Sequence, residues 1–312
     1  MVFSVLSFSV NLFPMKAQSL LDPAALSKIG RLELIARLVV EGFISGKHKS
    51  PFKGLSVEFA EHRQYSVGDD LTDIDWKVYG KSDRFYIKQY EEETNLRCYL
   101  VVDASASMLY SDNNRPTKFR YASCLAASLA FLMLQQQDAI GMVTFDDTIR
   151  DYLPPRCNPL HLRNIFDRLE ATTPGDETSI SIVFNQLAQR FKRRGLVVIL
   201  SDLFDDPAAL SAALRHFRHK KHEVIVFHIL DDDELTFPFD HWTQFEDLEV
   251  PSEKYLVEPR ALRDEYLRQL HSFLDQMRQT CWAHKIDYVP MRTSAPFDTA
   301  LATYLSRRAE SA

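Results

Sequence analysis

The chain has 312 residues, 46% hydrophobic and 26% charged, the profile of a globular protein with one large domain and room for a smaller appendage. A net charge of −6 provides no overall basic field for nucleic acid or anionic lipid, and the local run FKRRG at 191–195 reads as a solvated helix end. The four cysteines, Cys98, Cys124, Cys157 and Cys281, form no C-x-x-C pair, as expected of reduced thiols in a cytoplasmic protein rather than a disulfide framework or zinc site.

The first stretch, MVFSVLSFSVNLFP, is apolar, lacks a basic flank, and is too short to span a bilayer. Residues 1–16 therefore read as an unstructured leader or a mis-assigned start, with Met15 a more natural beginning. An amphipathic helix is predicted at 26–43, LSKIGRLELIARLVVEGF, and a segment rich in aromatics and charges follows up to residue 95. From 96 to 312, short apolar runs alternate with helical patterns. Strands are expected at 97–102, 139–145, 196–200, 224–230 and 286–289. Helices are expected near 118–137, 159–170, 179–192, 206–219 and 260–284, the last with Leu262, Tyr266, Leu270, Phe273 and Met277 on one face. Continuous apolar strands alternating with helices predict a doubly wound α/β domain, its mainly parallel sheet covered on both faces. Residues 17–95, the helix and the aromatic, acidic segment, would pack against it. Residues 231–258 break the alternation, and their Phe237, Phe239, Trp242 and Phe245 are expected to close an edge of the domain.

In such a sheet, ligands bind beyond the carboxyl ends of the strands. The stretch LVVDASASMLY, 100–110, places Asp103 at one such end, and VVILSDLFDD places Asp202 at another. Ser105 and Ser107 alternate after Asp103, so an extended loop would turn both hydroxyls the same way, and Thr178 could add a fifth oxygen from the start of a helix. Two carboxylates and three hydroxyls are hard donors, suited to Mg²⁺ or Mn²⁺ and poorly matched to zinc or copper. Neutral hydroxyl ligands would leave the ion positive charge to spare, and a carboxylate of another protein could fill an open position. The same residues also admit a plainer reading, with Thr178 a helix N-cap and Asp103 a loop acid.

The set D-x-S-x-S with Thr178 and Asp202 resembles the metal-ion-dependent adhesion site of von Willebrand factor A-like domains. The resemblance implies that the serines and threonine coordinate the ion and the acids act directly or through water. Asp202 is followed by Leu203, where that family often has glycine. Upstream, Arg63, Tyr65, Gly68, Asp69, Asp70, Ile74, Asp75 and Trp76, then YEEET at 90–94, resemble the signature of the bacterial domain of unknown function 58 family, with Thr72 and Lys81 where arginine is usual. That family resemblance implies a MoxR-like AAA+ ATPase, or its client, as partner. Arg63, Tyr65, Asp69, Asp70, Asp75 and Trp76 are candidate partner-binding residues, some of the acids pairing with Arg63, Arg84 or Lys88.

No G-x-S-x-G elbow, phosphate loop or dinucleotide fingerprint occurs, and His216, His219 and His222 read as a solvent-facing helix end. The favoured expectation is a non-enzymatic, metal-dependent protein-interaction module. A metal-assisted hydrolase and a structural subunit with a vestigial site stay open beside it.

Overall fold

The computed structural model describes residues 22–26, 28–47, 62–64, 86–88, 96–111, 115–175, 179–246 and 254–311. The chain divides into two units, one holding the described residues up to Ile44 together with Leu96–Ser311, the other Ser45–Asn95. Within the second, β1 (His62–Gln64) pairs antiparallel with β2 (Tyr86–Lys88), Arg63 opposite Ile87.

The larger unit begins with a single helical turn, α1 (Pro23–Leu26), and then α2 (Leu32–Lys47). One helix was expected from residue 26, but the chain bends through 28–30 and α2 starts only at Leu32. Leu32, Ile35, Ala36, Val39, Val40 and Phe43 recur at helical spacing and are all buried, and the Leu32 N–H donates to Glu170 Oε1 at 2.6 Å. This apolar stripe belongs to the core of the α/β unit, so α2 groups with that unit and not with the segment after it.

The central strands follow in order. β3 (Arg97–Asp103) leads through a 3-10 turn (Ala106–Leu109) into α3 (Lys118–Gln135), capped by the Thr117 hydroxyl, which accepts the Arg120 N–H. β4 (Ala139–Phe145), β5 (Ile149–Arg156), α4 (Pro159–Ala171), α5 (Ile180–Arg190), β6 (Leu196–Ser201), α6 (Pro207–His219) and β7 (Glu223–Leu230) come next. After a short α7 (Asp232–Thr236), the strands β8 (Thr243–Glu246) and β9 (Lys254–Val257) pair as an antiparallel ladder. The unit closes with α8 (Pro259–Ala283), β10 (Asp287–Arg292) and α9 (Asp298–Ser311).

The sheet order is β10-β7-β6-β3-β4-β5, and all neighbours are parallel except the β4–β5 pair. Alternation along β3 sends Cys98, Leu100 and Val102 into one core with α2, α3, α4 and α9. Tyr99 and Val101 enter the other, with α5, α6 and α8. Both faces are covered, which is the doubly wound α/β architecture expected.

Several local expectations need correction. β5 was not foreseen: its residues are half-exposed and include Pro154 and Pro155, which only an edge strand tolerates. The final helix α9 was missed although Phe297, Ala300, Leu301, Tyr304 and Leu305 carry the 0-3-4-7-8 spacing of a buried face. In the 231–258 region Phe237, Phe239 and Phe245 do pack together and against Tyr266 of α8, but Trp242 is 66% exposed and Leu262 also faces solvent.

His222 does not face solvent. It is buried among Tyr99, Phe191 and Phe217, its Nε2 3.3 Å from the Phe191 carbonyl. His161 is likewise buried, with Nε2 2.8 Å from the Ile140 carbonyl. Desolvation holds both imidazoles below the ordinary histidine value. The unfolded chain then binds protons that the folded chain refuses once pH falls through about 6.5, so stability is lost toward acid. Between pH 7.5 and 5.5 these two histidines should lower the urea midpoint, against the opposite contribution of Asp103, whose carboxyl is pushed up to about 7 and takes up a proton in the same window. His222→Phe should lose less stability on acidification than the wild type, and identical pH dependence in the two proteins would contradict the assignment.

Candidate functional site

Parallel pairing positions the site. Val102 of β3 lies opposite Leu200 of β6, so the two strands end level and deliver Asp103 and the Ser201-Asp202 pair to one edge of the sheet. Asp103 is fully buried. Its Oδ1 accepts the Ser105 N–H at 2.9 Å, and its Oδ2 accepts the Ser201 hydroxyl at 2.5 Å, which in turn accepts the Leu203 N–H. The Ser105 and Ser107 hydroxyls lie 3.1 Å apart, and Ser107 helps hold the Asp202 carboxyl low. Their common direction does not arise as expected. Only Ser105 is extended, whereas Ser107 sits in the 3-10 turn, whose tighter winding brings its hydroxyl back over that of Ser105.

The loop after Asp202 accounts for the leucine that departs from the glycine of the adhesion-site pattern. Leu203 has φ of 56°, a left-handed conformation that costs a non-glycine residue roughly 1–2 kcal/mol, and its side chain is fully buried. Burying a leucine contributes about 1.5–3 kcal/mol, enough to offset that strain. The turn therefore keeps the shape glycine would give while adding an apolar anchor.

Asp202 is held differently from Asp103. Its Oδ2 accepts the Lys118 ammonium at 2.7 Å, both side chains being 2% exposed, and Lys118 also reaches Glu234 Oε1 at 2.6 Å. Glu234 completes a capping box at the start of α7, its Oε2 accepting the Asp231 N–H. Arg115 bridges Asp231 and Asp233 at 2.8 Å each, and the Thr293 hydroxyl donates to Asp231. Behind Asp202, His228 donates Nε2–H to the Asp202 backbone carbonyl at 2.8 Å and meets the Tyr288 hydroxyl through Nδ1 at 2.6 Å.

The electrostatics separate the two acids. Burial, with the Asp202 charge beside it, pushes the Asp103 carboxyl up to about 7. Burial alone would raise Asp202 too, but Lys118 holds it below the usual carboxylate range. Burial likewise opposes the Lys118 charge, yet Asp202 and Glu234 together raise its pKa. Desolvation outweighs Lys118 at Glu234, which is raised, and takes His228 down to about 4.

Asp103 thus accepts hydrogen bonds from neutral donors while lying buried beside a second carboxylate, an arrangement that a bound cation would relieve. Asp103, Ser105, Ser107 and Asp202 offer only hard oxygens, a donor set that fits Mg²⁺ or Mn²⁺. Thr178 lies outside the described residues. The segment before it does reach the site, the Gly175 N–H donating to the Ala104 carbonyl at 3.1 Å. Of the candidate partner-binding residues, Arg63 is described only through its backbone in β1. Tyr65, Asp69, Asp70, Asp75 and Trp76 lie outside the described residues.

The sequence reading missed Ser201, Lys118, Glu234 and His228. Two signals were available. Lys118 opens α3, where the helix dipole disfavours a cation, and Asp231 follows the end of β7 as Asp202 follows β6. At the rim, Phe204 is 71% and Leu109 43% exposed. Among the described residues, no helix is long and apolar enough to cross a membrane.

The uncharacterized protein Rv1480 of Mycobacterium tuberculosis strain H37Rv is 25% identical over 292 residues, covering 92% of this chain and 90% of that protein. The uncharacterized protein Mb1516 of Mycobacterium bovis matches with the same figures. Among solved structures, the conserved hypothetical protein BatB of Bacteroides thetaiotaomicron matches with a TM-score of 0.49 and 17% identity, over 69% of this chain and 99% of that one. The SpRpn10 VWA domain matches with a TM-score of 0.39 and 11% identity, over 68% and 95%. Residues 61–273 match the family described as protein of unknown function DUF58, and the chain, whose α/β unit is doubly wound with one antiparallel edge strand, belongs to that family.

Proposed function

We propose that this protein is a metal-dependent protein-interaction module. Asp103, Ser105, Ser107 and Asp202, with Thr178, would hold Mg²⁺ or Mn²⁺ at the strand edge, and an acidic side chain of a partner would complete the ion's coordination. The observation that carries this reading is the buried Asp103 carboxylate, set against neutral donors beside a hydroxyl pair 3.1 Å apart. The chain's own residues would preorganise the site: Ser201 and the Ser105 amide orient Asp103, and Lys118 fixes Asp202. Exposed Phe204 and Leu109 would give a partner apolar contact around the ion. The partner we propose is a MoxR-like AAA+ ATPase or its client, a reading that rests on family resemblance.

Binding between the purified chain and a MoxR-like ATPase from the same organism, measured in Mg²⁺ and in EDTA, tests this. Binding that requires Mg²⁺ and is lost in Asp103→Ala and Ser107→Ala is the expected result. Equal binding in EDTA, or by Asp103→Ala, would remove the ion from the recognition surface.

A further inference from the structure

The strand edge carries an internal cation that the metal reading alone does not call for. Lys118 is 2% exposed, and its ammonium is clamped between Asp202 at 2.7 Å and Glu234 at 2.6 Å. Asp202 belongs to the proposed ligand set. Glu234 comes from the first turn of α7, just after β7, and is tied there by the Asp231 N–H. The neighbouring acids Asp231 and Asp233 have their own cation in Arg115, so Lys118 serves Asp202 and Glu234. With Asp103, Asp202 and Glu234 ionised, the three carboxylates and one ammonium leave two negative charges, the charge of one divalent ion. Without Lys118 there would be three.

We infer that Lys118 is a resident counter-charge that competes with the divalent ion for Asp202, keeping the cradle assembled without the ion and keeping the bound ion exchangeable. This rests on the proposed ion site and goes beyond it by assigning control of ion affinity to a residue that is not a ligand. The physics has two sides. A buried carboxylate pair without a cation is costly, so the ammonium stabilises the ion-free state. The same ammonium repels a second cation in a medium of low effective dielectric, so it weakens ion binding. An interaction module that must release its partner benefits from both effects. Lys118 is therefore a positioning residue, acting on the ion through Asp202.

The test is Mn²⁺ titration of the full chain, by calorimetry or electron paramagnetic resonance, with thermal unfolding in EDTA and in Mn²⁺. The wild-type chain should bind Mn²⁺, and Asp103→Ala should not. Lys118→Met should bind about tenfold more tightly or better. It should also be less stable in EDTA, and Mn²⁺ should raise its Tm by more than it raises that of the wild type. Lys118→Arg, which keeps the charge, should stay near the wild-type affinity. Glu234→Gln can keep accepting the Asp231 N–H but withdraws a negative charge, and should bind severalfold more weakly. A purely structural lysine would lower stability without tightening the ion. Should Lys118→Met fail to fold, Glu234→Gln decides alone, and unchanged or tighter binding overturns the inference. Normal wild-type binding with unchanged or weaker binding in Lys118→Met overturns the inference and leaves the ion site standing. Wild-type uptake no better than that of Asp103→Ala removes the ion site and the inference together.

Discussion

Asp202→Ala should cost about 3–5 kcal/mol of stability in EDTA, because it leaves the Lys118 ammonium buried with half its compensation. Domains of this kind are stable by only about 5–15 kcal/mol, so much of the margin would go. The loss arises from stranding the partner, and is not a measure of what the pair contributes over an apolar replacement. Asp103→Asn should behave otherwise and stay within about 1 kcal/mol of the wild type. Its carboxylate accepts from the Ser105 amide and the Ser201 hydroxyl; a carboxamide oxygen can accept the first, its NH2 can donate to the second once that hydroxyl rotates, and removing the charge relieves repulsion from Asp202. Urea unfolding of the two variants in EDTA checks this. Equal losses would mean that Lys118 does not distinguish the two acids. Partner binding should fail in both, so only stability separates them.

Gly195→Ala is the second large effect expected. A Cβ there would lie 2.4 Å from the Arg97 carbonyl oxygen and 3.2 Å from the Arg97 Cβ, at the point where β6 begins to pair with β3. The obstacle is backbone, which cannot rotate away, and the Gly195 carbonyl is itself engaged by the Glu223 N–H. The variant should lose about 1–3 kcal/mol or more, as overpacked sites do. Gly30→Ala is the matched control. Among the described residues nothing lies within 4 Å of its added methyl, so it should be neutral or gain up to about 1 kcal/mol by restricting the unfolded chain. Chemical denaturation of both variants is sufficient, and a Gly195→Ala midpoint equal to that of Gly30→Ala would contradict the clash. A shift in the β6 register would also disturb Asp202, so the loss should be accompanied by weaker Mn²⁺ uptake.

Much of this architecture is written locally. Apolar runs such as LVVIL and VIVFHIL, short and rich in β-branched residues, read as strands buried on both faces, and the helical spacing between them calls for crossover connections. Once the strands are parallel, their carboxyl ends share an edge, so Asp103 and Asp202 were legible as neighbours without coordinates. The hydroxyls of Ser105 and Ser107 were legible too, though for a different reason than alternation. Leu203 occupies the position where glycine is often found, and its positive φ meets the same backbone demand.

What the sequence could not determine is which charges meet across the sheet edge. Lys118 is 84 residues from Asp202 and 116 from Glu234, and no periodicity links positions so far apart. Their meeting depends on the angle at which α3 leaves the 3-10 turn and on where α7 folds back after β7, both set by packing of whole elements. The same holds for His222, whose place among Tyr99, Phe191 and Phe217 is decided by how α6 seats on the sheet. Local pattern specifies elements because hydrogen bonding and burial along one segment are short-range. The pairing of buried charges belongs to the tertiary structure, since desolvation and Coulomb energy depend on every group the fold brings near.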